Sequence, residues 1–78
     1  MNDIEKILNY MFHSKYIFFV ASSVAARINL REKRVKEILE AMEKAGVTGK
    51  AVPIDDKDRY FLTLPTKWII THLLQWRS

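Results

Sequence analysis

Two short stretches of helical spacing separated by a single asparagine, followed by a glycine after which apolar residues begin to alternate, restrict this chain more than any other feature. Val24 and Ile28 lie four apart and therefore share one face of a short helix. Asn29 comes next, the residue that after glycine best tolerates the left-handed conformation ending a helix, and Leu30 leads directly into a second helical pattern. There Val35, Ile38, Leu39, Met42 and Ala45 fill a stripe about 120° wide, while Lys33, Lys36, Glu37 and Glu40 point the opposite way. Gly46 is a suitable stop for that helix. From Val47 onward the period is two, which predicts a strand over residues 47–52 and another over 59–64 with Tyr60, Leu62 and Leu64 on one face.

The flanks complete the pattern. Ile4, Ile7, Leu8, Met11 and Phe12 fall within about 140° of a helical wheel, predicting an amphipathic first helix over residues 1–13 capped by Asn2 or Asp3. Residues 16–20 are aromatic and β-branched and read as a strand, and Ser22 and Ser23 offer cap oxygens for the helix that follows. After Pro65 a last helix is expected over residues 66–76. Its apolar residues Trp68, Ile69, Ile70, Leu73, Leu74 and Trp76 cover about 240° of the wheel, wider than one core contact requires, so two surfaces are implied. With 78 residues, 49% of them apolar, and no linker or repeat, the chain is expected to form one α+β domain over 1–78, in the order helix, strand, helix, helix, strand, strand, helix. It has no cysteine to staple so small a core, which makes oligomerisation the natural supplement.

In this order of elements the chain resembles the winged helix-turn-helix superfamily of transcriptional regulators, including its MarR-like and ArsR-like groups. The likeness is carried by Val24 to Thr63: VAARINL resembles the supporting helix and turn, REKRVKEILEAMEKAGV the recognition helix and its exit, and RYFLT the final wing strand. Val35, Leu39 and Met42 stand at the apolar anchor positions, and Ala45, Gly46 and Val47 match the small residue, glycine and aliphatic that turn the chain into the wing. The chain departs from the pattern where Arg31 replaces a serine or threonine cap and Asn29 a frequent glycine. Four glutamates, Glu32, Glu37, Glu40 and Glu43, dilute the charge of the second helix.

Thirteen basic against nine acidic residues give a net charge of +4, which favours a polyanion without choosing among polyanions. Position is more informative, since six basic groups fall within residues 31–50. The resemblance implies double-stranded DNA, with the start of the second helix facing base edges. Lys33 or Arg34 would donate to guanine and Lys36 stands beside them. Glu37 would either accept from cytosine N4 or pair with Lys33 inside the helix. Arg31, Lys50, Lys57 and Arg59 suit phosphates, as do backbone amides near Ser22 and Ser23 unless those serines are simple caps. One recognition helix reads few base pairs, so a homodimer is expected, with Trp68, Ile69, Leu73 and Trp76, joined by Met11 and Phe12, divided between core and dimer contact.

Other chemistries find little support. His13 and His72 have no metal-spaced neighbours, and the acidic run at Asp55, Asp56 and Asp58 lacks the glycine and terminal glutamate of a calcium loop. The TGKA segment fails as a phosphate loop, because Lys44 stands at its first glycine position and Ala51 where a hydroxyl is needed. No arrangement of nucleophile, base and acid is visible, so no enzyme, cofactor or small-molecule ligand is expected. The start of the chain is acidic where a signal peptide is basic, and no run is long enough to span a bilayer, which points to the cytoplasm. The rival reading is a winged helix that binds protein instead of DNA, and a further one is a replication or plasmid-maintenance factor with the same DNA chemistry.

Overall fold

The computed structural model describes residues 2–51 and 57–77, leaving out the side chains of Leu74, Trp76 and Arg77. Helix α1 spans Asp3–His13 and is capped by Asn2, whose Oδ1 accepts from the Glu5 amide at 2.8 Å. Its inward face is Ile7 and Met11, both buried. Strand β1 is only Phe19–Val20, shorter than the expected 16–20. The Tyr16 amide donates to the Ser14 hydroxyl at 3.2 Å, a local turn that holds the chain off the sheet before Phe19. Tyr16, Ile17 and Phe18 are consequently exposed.

β1 runs straight into helix α2, Ala21–Ile28. Its N-cap is Val20 in extended conformation with no side-chain hydrogen bond, so Ser22 and Ser23 lie in the first turn instead of capping it. Helix formation begins at Ala21, two residues ahead of the start that a Ser22 cap would give, and Ala21 is itself buried in the core. Asn29 ends α2 in the left-handed region (φ 58°), and the Asn29 and Leu30 amides both donate to the Ala25 carbonyl. Helix α3, Glu32–Lys44, buries Val35, Ile38, Leu39 and Met42 as its spacing predicts. Ala45 departs from the stripe and is exposed, because the chain leaves the helix there. Gly46 at φ 81° turns it, and the Val47 amide returns to the Met42 carbonyl at 2.9 Å.

Strands β2 (Thr48–Ala51) and β3 (Arg59–Leu62) form the wing. The sheet has the order β1-β3-β2 and is antiparallel, with Tyr60 opposite both Phe19 and Lys50. A Cβ at position 49 would overlap the Phe61 ring, which explains Gly49 in this strand. The expected end of β2 at Val52 and the hairpin tip at 54–56 lie outside the described residues. Thr48 is buried, and its hydroxyl donates to the Leu39 carbonyl at 3.1 Å, pinning the wing to α3.

β3 was expected to reach Leu64, but helix α4 begins there instead and spans Leu64–Arg77. Pro65, with its fixed φ and no amide hydrogen, suits the first turn of a helix, and the Thr63 hydroxyl lies 2.8 Å from that of Thr66. Leu64 therefore leaves the sheet face and is exposed. The core joins Ile7 and Met11 of α1, Val24 and Ala25 of α2, the α3 stripe, and Phe19, Tyr60 and Leu62 of the sheet.

Candidate nucleic-acid interface

Burial of Val35 and Leu39 (both 0% exposed) fixes how α3 is rotated. The opposite arc then presents Lys33, Lys36 and Glu37 to solvent, with Arg31 exposed at the N-cap. Two clefts flank the start of α3. One is lined by Asp3, Leu30, Arg31, Lys33, Arg34 and Glu37. The other lies between the start of α2, α3 and the wing, and brings together Ser22, Glu32, Lys36, Lys57, Asp58 and Tyr60. Ser22, Lys36 and Lys57, widely spaced in sequence, thus meet on one surface.

Not every expected contact points outward. The Arg34 guanidinium is 3.2 Å from the Asp3 carboxylate, tying α3 to the start of α1. Lys50 lies 3.7 Å from Asp58, and its ammonium sits 5.5 Å from the centre of the Tyr60 ring. Its pKa is raised, first by Tyr60 and then by Asp58, Glu43 and Glu40, while Lys50 itself remains exposed on β2. Arg59 is half-buried in β3, and Ser23 is exposed in the first turn of α2. Tyr60 was seen in the sequence only as a core residue, yet it lines the second cleft. Burial pushes its phenol above the ordinary value, with the Lys50 charge opposing. The Arg34 to Asp3 pair joins residues far apart in the chain and has no local sequence signal.

On α4, Trp68, Ile69 and Leu73 are exposed at 62%, 52% and 56%, and Trp68 stacks on His72 with ring centres 3.8 Å apart. Trp68 therefore does not close the core. Met11, offered as a shared dimer residue, is buried within the monomer core, and the Trp76 side chain lies outside the described residues. Among the described residues no cluster of His, Asp or Glu suits a metal, and no helix is long and apolar enough to cross a membrane.

No protein-family model matches the chain, and no curated protein matches it by sequence. Solved structures do match. NadR, crystallised in complex with 4-hydroxyphenylacetate, superposes with a TM-score of 0.76 at 15% identity, over 96% of this chain and 54% of that one. This chain thus spans about half the length of NadR. A candidate DNA-binding protein from Ralstonia eutropha JMP134 superposes with a TM-score of 0.71 at 18% identity, over 90% of this chain and 91% of that one. Neither is named as an enzyme. The element order, the antiparallel wing and these superpositions establish the architecture: the chain folds as a winged helix-turn-helix.

Proposed function

We propose that residues 1–78 act as one winged-helix module that binds double-stranded DNA sequence-specifically, as a small cytoplasmic transcriptional regulator without catalytic activity. The observation that carries this reading is the rotation of α3. Val35, Ile38, Leu39 and Met42 are committed to the core, and the outer arc of α3 presents Lys33, Lys36 and Glu37 where a major groove would meet them. Lys33 and Lys36 donate to base edges or nearby phosphates, and Glu37 accepts from cytosine. Arg31, Lys57 and Arg59 meet the backbone, as do the first amides of α2 beside Ser22 and Ser23. Lys50 and Arg34 join them only by leaving their carboxylate partners.

The exposed side chains of Trp68, Ile69 and Leu73 on α4 support a homodimer, with Trp76 proposed beside them, which would set two recognition helices on a two-fold axis. One observation favours the rival reading of a protein-binding module: Tyr16, Ile17 and Phe18 add a second exposed apolar stretch that DNA contact does not explain. Selection of bound duplexes from a random pool separates the two. Recovery of an inverted repeat supports a dimeric regulator, and recovery of no enriched sequence counts against specific recognition.

A further inference from the structure

Tyr60 is 1% exposed, and its hydroxyl has no hydrogen-bond partner among the described residues. Buried hydroxyls are almost always paired, because an unmatched one forfeits its hydration without compensation. Its surroundings indicate what would pair with it. Tyr60 lines the cleft between the start of α2, the first half of α3 and the wing, with Ser22, Lys36 and Lys57. Helix α2, eight residues long, starts there with Val20 as an N-cap that makes no side-chain hydrogen bond, and the amides of its first turn carry the positive end of the helix dipole. Two carboxylates, Glu32 and Asp58, offset the two lysines, and Asp58 is already engaged by Lys50. With formal charge balanced, anion capture rests on neutral donors as much as on the ammonium groups. Phenol, hydroxyl, amides and ammonium groups on three sides of one cleft suit an anion with several acceptor oxygens, which is a phosphate group.

We propose that this cleft is a discrete phosphate site, in which the Tyr60 hydroxyl donates to one phosphate oxygen, Ser22 and the first α2 amides donate to another, and Lys36 and Lys57 balance the charge. The site rests on the DNA-binding reading for its source of phosphate, the backbone of a duplex. Burial raises the phenol's pKa above its ordinary value, so at neutral pH it carries its proton and is a donor. The hydroxyl is shielded from bulk water, so a phosphate oxygen reaches it only as the side chains covering it move aside.

Tyr60→Phe removes the oxygen and keeps the ring that fills the core, so the variant is expected to unfold at or slightly above the temperature of the parent chain. Measured by fluorescence anisotropy, its affinity for duplex DNA falls about tenfold for every sequence alike, as loss of a hydrogen bond to a charged group implies. The salt dependence stays unchanged because no charge is lost. Lys36→Gln instead lowers the slope of log affinity against log salt by about 1. Ser22→Ala, outside the core, repeats the loss without the packing question. If Tyr60→Phe and Ser22→Ala bind duplex as the parent does, the phosphate site is refuted and the DNA reading stands. If the parent binds no duplex, the DNA reading falls and inorganic phosphate decides. Shifts of the Ser22, Ser23 and Tyr60 amide resonances on phosphate titration, weakened in Tyr60→Phe, support a phosphate site fed from another source. Resonances that do not move overturn it.

Discussion

Replacing Asp3 with alanine probes the contact that most changes the picture of α3. In the folded chain the Asp3 carboxylate holds the Arg34 guanidinium at 3.2 Å, with both side chains partly open to solvent. An exposed pair of this kind, together with the favourable placement of an acid in the first turn of α1, is worth about 1 kcal/mol, so the unfolding midpoint should fall by about 4–8 °C. The effect on DNA runs the other way. Asp3→Ala removes a negative charge beside the start of α3 and releases Arg34, which adds about one phosphate contact and steepens the salt slope by about 0.9. Between about 50 and 200 mM salt, one such contact amounts to a factor of about 3.5 in affinity. The variant should therefore bind duplex several-fold more tightly than the parent at low salt, with about 3.5-fold less advantage at the higher concentration. Anisotropy titrations at several salt concentrations read both quantities. Adding Arg34→Ala should return the slope to that of the parent. An Asp3→Ala protein that is folded yet has the parent's affinity and slope would refute the idea that Asp3 restrains a DNA-facing arginine.

Leu39 is 0% exposed at the centre of the α3 stripe, so Leu39→Ala should cost about 2–5 kcal/mol in denaturant unfolding, and a loss under about 1 kcal/mol would contradict the packing that orients α3. Leu73→Asp should leave stability nearly unchanged, because Leu73 is exposed, while halving the mass seen by sedimentation, and an unaltered mass would remove α4 from any dimer contact. Tyr60 and Lys50 both have raised pKa values in the folded chain, so the unfolded chain releases these protons first as pH rises past 10.0. Stability should accordingly hold below about pH 10 and decline above it, and a melting midpoint that climbs between about pH 9 and 11 would reverse the sign.

Much of the architecture was legible because local chemistry and global packing agree. Asn2 caps α1, Asn29 takes the left-handed conformation, Gly46 turns α3 into the wing, and the four-residue apolar stripe of α3 is buried as its spacing requires. Misreadings came where two local signals competed. Tyr16 to Phe18 have strand-forming side chains, but the Ser14 turn intervenes. Leu64 continues the alternation of β3, yet Pro65 favours a helix start. Ser22 and Ser23 are good caps in composition, but the chain enters α2 a residue before them. The candidate interface was legible as a set of residue types and not as an arrangement. Sequence identifies Arg34 and Lys50 as cations, whereas only the fold shows that Asp3 and Asp58 hold them. In the same way, the alternation of β3 places Tyr60 inward but says nothing of the cleft its ring also lines.

The central claim, that this winged helix engages duplex DNA through α3 and the wing, is tested most directly by the salt dependence of binding to duplex. With Arg31, Lys33, Lys36, Lys57 and Arg59 at the backbone or groove, log affinity per chain should fall with log salt at a slope of about minus 4 to minus 5. Absence of binding at low salt, or binding that salt leaves unchanged, would contradict the account.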